Sequence, residues 1–238
     1  MAQQQDFLKV AIVTGASEGI GKAITSSLLQ ANNKVIMLAR DEAKLKLALC
    51  EMGSLAKNAW VLPVDLTFSR NVNMAIEMIL QREGRIDCLV NNLGNGLQRT
   101  LIETTDQEWD HMVHVNLSSA FYACRAVIPV MRKVKHGWIV NISSRSGRRG
   151  EGQFAAYCAV KHGLVGLTRA LADSESEFGI HVNAICPGPV ATEKMIERHP
   201  MMDRSNWNTT LEVAQSVLFL LSPAAEHMNG QCVDLFMN

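Results

Sequence analysis

Short runs of consecutive apolar residues alternate with longer stretches in which apolar positions recur at helical spacing, from one end of the 238-residue chain to the other. Residues 8–13, 34–39, 59–64, 86–91, 138–142, 181–185 and 232–235 are brief and rich in Val, Ile and Leu. Runs of this kind fit strands buried on both faces. Helical patterns begin near Lys22 and then cover residues 41–52, 69–83, 105–135, 155–178 and 211–221. Repeated β–α order implies right-handed crossovers, so the pattern predicts an α/β fold: a doubly wound, parallel, seven-stranded sheet with helices on both faces. No internal repeat, linker or low-complexity stretch breaks the pattern, and residues 1–238 read as a single domain.

Composition adds little to that picture. Hydrophobic residues make up 47% and charged residues 19%, which is ordinary for a packed globular core. Lysine plus arginine equals aspartate plus glutamate at 23 each, so no global field favours nucleic acid or an anionic membrane. The six cysteines are scattered without a CxxC pair, and several lie inside apolar runs, which suits reduced thiols. Residues 1–6 lack the basic and apolar regions of a signal peptide, and no segment is apolar for long enough to span a bilayer. The expectation is a cytoplasmic protein without membrane or nucleic-acid partners.

The first candidate chemistry lies at residues 14–21, between the first apolar run and the first helical pattern. In a strand, glycine turn and helix, Gly15 can turn tightly, Gly19 lets backbone approach a pyrophosphate, and Gly21 lets helix pack close to strand. The spacing is GxxxGxG rather than GxGxxG. A triphosphate loop fails on detail, because Gly15 and Gly21 stand one residue too far apart and Ala23 replaces the Ser or Thr that would hold magnesium. A dinucleotide site is the leading reading. At the end of the second strand Arg40 follows Ala39 where a carboxylate would mark NAD, an arrangement that admits a 2′-phosphate. NADP(H) is therefore favoured, with NAD(H) possible. Asp41 reads as a helix N-cap. Asp65 is open between an adenine acceptor and another cap. Asn91 and Asn92 read mainly as anchors of the fourth strand end, with Asn91 a secondary candidate for a ribose contact and Gly94 leaving space for the cofactor.

Tyr157 and Lys161 stand four residues apart at the start of a helical pattern and so share one face. A neighbouring ammonium would lower the tyrosine pKa toward a useful range. Alone, such a pair would be a surface feature of an amphipathic helix. Ser143 and Ser144 end the fifth run, Asn116 sits inside a long helical pattern where an amide is mildly unfavourable, and residues 186–192 leave the sixth run as a rigid turn. All of these features flank the carboxyl edge expected to hold the cofactor.

Taken in order, these motifs resemble those of the short-chain dehydrogenase/reductase family, of the kind that includes bacterial 3-oxoacyl-(acyl-carrier-protein) reductases, over nearly the whole chain. The resemblance implies a Rossmann-type sheet and hydride transfer between NADPH and a carbonyl carbon. Ser144, thirteen residues before Tyr157, takes the catalytic place and Ser143 becomes a strand-end residue. By resemblance Tyr157 is the general acid, Ser144 holds the carbonyl oxygen, Lys161 lowers the tyrosine pKa and binds ribose, and Asn116 holds a relay water. Val190 and Thr192 would orient the nicotinamide, while Ser17, Glu18, Ile20, Leu66, Pro187 and Gly188 complete the implied cofactor contacts. Relatives pair through the helices at 105–135 and 155–178, so a homodimer or homotetramer is implied.

Some positions depart from the family pattern. Leu93 replaces a small alanine, and Glu18 stands where NADP-using members often carry a basic residue, which leaves Arg40 alone to support NADP. The segment after Thr192 reads as a short, polar lid. The last strand lacks a following glycine pair. Arg145, Arg148 and Arg149 read as a solvated loop, with recognition of an anionic substrate as the alternative. No grouping of His, Cys and carboxylates has metal-ligand spacing, and no metal site is expected. The leading function is an NADP(H)-dependent carbonyl reductase acting on a small-molecule or acyl-thioester carbonyl, 3-oxoacyl thioesters first. Its alternatives are an NAD-dependent alcohol, sugar or steroid dehydrogenase and, from another class, a non-catalytic NADP-binding sensor or scaffold.

Overall fold

The computed structural model describes residues 9–236. Expectations that rest on residues 1–8, including Leu8 as the first strand residue, and on Met237 and Asn238 lie outside the described residues. The seven strands are β1 (Val10–Thr14), β2 (Lys34–Ala39), β3 (Ala59–Pro63), β4 (Cys88–Asn91), β5 (Gly137–Ile142), β6 (Ile180–Pro187) and β7 (Cys232–Leu235). They form one sheet in the order β3-β2-β1-β4-β5-β6-β7, with every pair parallel.

Strand alternation explains why the apolar runs are unbroken. Ala11 and Val13 of β1 face one core and Val10 and Ile12 the other. The first core is closed by α1 (Gly19–Gln30), α2 (Glu42–Glu51) and α8 (Thr210–Leu220), through residues such as Ile24, Leu28, Leu45 and Val217. The second is closed by α3 (Ser69–Glu83), α5 (Ser119–Val134) and α6 (Ala155–Glu175), through Val72, Ile76, Val127, Met131 and Ala172. Strand order reverses between β1 and β4, and the carboxyl edge at that reversal is where a crevice opens in such sheets.

Two helical expectations need correction. The pattern at 105–135 is not one α-helix: α4 (Asp106–Val113) passes into a π-turn at His114–Ser118 before α5 begins. The π-turn carries Asn116, whose side-chain amide donates to Met112 O four residues back at 3.2 Å. The segment after Thr192 is not only a polar loop, because α7 (Glu193–Arg198) forms there on the Thr192 cap. Its polar face hid it from a search for apolar periodicity.

Candidate active site

The glycine turn lies where β1 meets α1. Gly15 and Gly19 have φ of +64° and +53°, and a Cβ on Gly21 would fall 2.1 Å from Gly15 O, so no side chain fits there. Asn92 Nδ2 donates to Thr14 O at 3.0 Å and Gly15 O at 3.1 Å, while Thr14 Oγ1 accepts from the Asn92 and Leu93 N–H groups. Four hydrogen bonds thus clamp the loop to the end of β4. Glu18 stands at the N-cap of α1 without a capping side-chain bond, and the orphan N–H groups of a first turn are suited to an anion. Ser17 and Ile20 are half-buried in the same loop.

At the end of β2 the exposed Arg40 lies close enough to Asp65 for its charge to lower the carboxyl. Burial acts against that shift, and the stronger holds are the Thr67 hydroxyl at 2.6 Å and the Thr67 N–H at 3.0 Å. Asp65 is therefore engaged in a local Asx-type turn. Asp41 caps α2 by accepting from Lys44 N at 3.0 Å. The Leu66 side chain is buried in the second core, which leaves only its main chain for a cofactor. Glu18 is paired with two cations, Lys44 Nζ at 3.3 Å and Lys194 Nζ at 3.9 Å.

The Asn91 side chain takes the anchoring role. Its amide donates to Asn141 Oδ1 at 2.8 Å, Asn141 in turn donates to Thr168 Oγ1 at 2.9 Å, and the residue is buried. The chain of bonds ties β4 through β5 to α6 and engages the Asn91 amide nitrogen inside the sheet. The cleft side of that strand end belongs to Asn92 and Gly94.

Gly94 lets three elements converge. A Cβ there would lie 2.7 Å from Asn116 Oδ1 and 3.2 Å from Lys161 Nζ, which places the π-turn amide and the α6 ammonium against one backbone point. Asn116 is fully buried, and its side chain accepts from Asn95 N at 3.2 Å and donates to Asn95 O at 3.1 Å. Lys161 Nζ donates to Ile142 O at 3.0 Å and lies 5.7 Å from the Tyr157 ring centroid. Ser144 caps the single turn Arg145–Gly147, its Oγ accepting from Ser146 N at 3.1 Å. Ser143 is buried and donates to Lys161 O, in keeping with a strand-end role.

Burial moves the two titrating groups in opposite directions. It pushes the Tyr157 phenol up to about 12, against the lowering effect of the Ser144 hydroxyl, and drives the Lys161 ammonium down to about 8. The expected ammonium-driven fall of the tyrosine pKa is not what this arrangement produces. Lys161 is turned to a backbone carbonyl, and desolvation outweighs the rest.

Ser144, Tyr157 and Lys161 line a cleft of about 670 Å³ together with Ile20, Asn92, Gly94, Pro187, Gly188, Val190 and Thr192. Thr192 Oγ1 accepts from Met195 N at 3.2 Å, and its methyl lies 3.1 Å from the place a Gly19 Cβ would occupy, so the β6 turn and the glycine loop pack against each other beside the cleft. Phe154, Gln98, Met195 and Arg198 form the outer wall. Of the arginine cluster, Arg145 is paired with Glu151 and Arg148 with Asp234. Only Arg145 of the three lines the cleft, so the three do not converge on it as a cluster.

The glycine positions without room for a Cβ, the α1 turn free of a side-chain cap and the residues across from it fit a dinucleotide lying along the carboxyl edge. Sequence reasoning missed Lys44 and Lys194, and it read Asn92 only as a general anchor. The four-residue spacing from Arg40 to Lys44 was visible, but the turn and cap between them concealed which way Lys44 would point.

A cleft of this kind at the switch point defines a nucleotide-dependent enzyme class, and comparison with known proteins identifies the family. Residues 9–203 match the family model described as short chain dehydrogenase. The 3-oxoacyl-(acyl-carrier-protein) reductase FabG of Thermotoga maritima is 35% identical, the alignment covering 95% of this chain and 96% of that protein. The D-beta-hydroxybutyrate dehydrogenase of Rhizobium meliloti is 33% identical over 94% of this chain and 88% of its own. Among solved structures, ElxO with NADP bound superposes with a TM-score of 0.92 at 29% identity, covering 96% of this chain and 97% of that one. The chain belongs to the short-chain dehydrogenase family and is an NAD(P)-dependent oxidoreductase acting on alcohol or carbonyl groups.

Proposed function

We propose that this protein is a single-domain, NADP(H)-dependent carbonyl reductase with 3-oxoacyl thioesters as its leading substrate class. The observation that carries the reading is that Ser144, Tyr157 and Lys161 line one cleft, with the buried Asn116 carboxamide and Lys161 Nζ brought together at Gly94. The T. maritima relative supports the substrate class and the NADP-bound ElxO structure the cofactor. The bound cofactor would supply a hydride to the carbonyl carbon.

The protein's own residues do the remaining work. The Ser144 hydroxyl hydrogen-bonds the carbonyl oxygen and holds it against Tyr157. The tyrosine gives up its phenolic proton as negative charge grows on that oxygen. A phenol raised to about 12 is fully protonated at neutral pH, which suits donation to an alkoxide, a stronger base still. Lys161 binds the nicotinamide ribose hydroxyls and, with a pKa near 8, can return a proton to the phenolate. Asn116 holds the water that links Lys161 to solvent. Gly15, Gly19 and Gly21 bear the pyrophosphate, Arg40 the 2′-phosphate, and Val190 and Thr192 the carboxamide.

NADPH oxidation followed by absorbance, with a panel of 3-oxoacyl thioesters, diketones and ketosteroids, tests the reading. Wild type should turn over at least one member, and Tyr157→Phe should lower turnover by about 10²–10⁴-fold with NADPH affinity nearly unchanged. Retained turnover in Y157F overturns the mechanism. The R. meliloti relative favours a second reading, an NAD-linked hydroxy-acid or alcohol dehydrogenase, which tighter binding of NADH than NADPH would select.

A further inference from the structure

Glu18 is the feature of the glycine turn that an NADP reading leaves unexplained, since a carboxylate there would repel a 2′-phosphate. We propose that Lys44 and Lys194, gathered by Glu18, join Arg40 as the phosphate-selecting cations of the cofactor site. The proposal rests on the NADP(H) reading above and names the residues that would enforce it.

Ala16 N donates to Leu38 O at 3.2 Å, which pins the glycine turn against the end of β2 and sets Glu18 beside the start of α2. From that start Lys44 reaches Glu18 Oε2 at 3.3 Å, and from the first turn of α7 Lys194 reaches Oε1 at 3.9 Å. One carboxylate is thus shared by two exposed ammonium groups arriving from separate helices. Arg40, at the end of β2, lies near enough to Asp65 for its charge to act on that carboxyl.

Net charge does not make this site selective: Arg40, Lys44 and Lys194 face Glu18, Asp41 and Asp65. Availability does. Asp41 is committed to the α2 N-terminus and Asp65 to Thr67, whereas the lysines are held by exposed, salt-screened pairs that cost little to exchange. A doubly charged phosphate offers them a stronger acceptor than a single shared carboxylate. Glu18 then acts as a placeholder that keeps both lysines at the site.

Calorimetric titration with 2′,5′-ADP and 5′-AMP, which share the adenosine and differ in the 2′-phosphate, separates the outcomes without turnover. Wild type should bind 2′,5′-ADP more tightly. Lys44→Ala should weaken it about tenfold, Lys194→Ala by less, and both should leave 5′-AMP unchanged. Lys46→Ala, on the same helix but paired with Glu42, should change neither ligand. A loss in K44A no larger than in K46A overturns the proposal while leaving the NADP reading intact. Equal affinity of wild type for the two probes overturns the NADP reading, and the proposal with it.

Discussion

A phenol and an ammonium one helical turn apart respond to burial in opposite senses, and that difference can be measured without substrate. Lys161 falls from its ordinary 10.5 to about 8, so between those values the unfolded chain binds more protons than the folded one. Stability should therefore rise with pH from about 8, by roughly 1 kcal/mol per unit at most. Tyr157 rises from 10.0 to about 12, so above pH 10 the folded chain holds the extra proton and stability falls. Urea midpoints at a series of pH values should show the rise between 8 and 10 in wild type and lose it in Lys161→Met. A rise that persists in K161M would place its origin in other groups.

Among the elements, the π-turn at His114–Ser118 matters most to the site. It widens the helix by one residue, and such turns often mark functional positions. The Asn116 amide spans it, joining Met112 behind to Asn95 in front, and so couples the α4–α5 helical run to the loop after β4. Asn116→Ala should leave these partners without it, costing about 1–3 kcal/mol in chemical denaturation. The same variant should also lower turnover. The unfavourable mid-helix amide was legible in the chain; the widened turn was not, because periodicity over 105–135 averages across a one-residue irregularity.

At the scale of the molecule, α5 and α6 are tied by the Arg132–Glu175 pair, and beside it runs an apolar groove of about 340 Å³ that includes Phe121, Cys124, Ile128, Leu167 and Leu171. Phe121 is 44% exposed on this face. We propose that the face pairs two copies of the chain, in line with the homodimer or homotetramer that the family resemblance implies. Sedimentation velocity should find a dimer or larger assembly for wild type and a shift toward monomer for Phe121→Arg. An unchanged sedimentation profile in F121R would exclude this face as the contact.

The chain by itself determined the layered architecture, because strands buried on both faces must be continuously apolar and the helices between them must show a stripe. It also determined the glycine turn and the Tyr157–Lys161 pair, since both depend on spacing within a single turn or helix. Tertiary structure alone decided what lies opposite each of these. Asn91 turned into the sheet because Asn141 of the neighbouring strand offers an acceptor fifty residues away. Arg145 and Arg148 were claimed by Glu151 and Asp234, and Lys44 and Lys194 converged on Glu18 from separate helices. Side-chain pairing between distant segments depends on strand order and burial, and neither is written in local spacing.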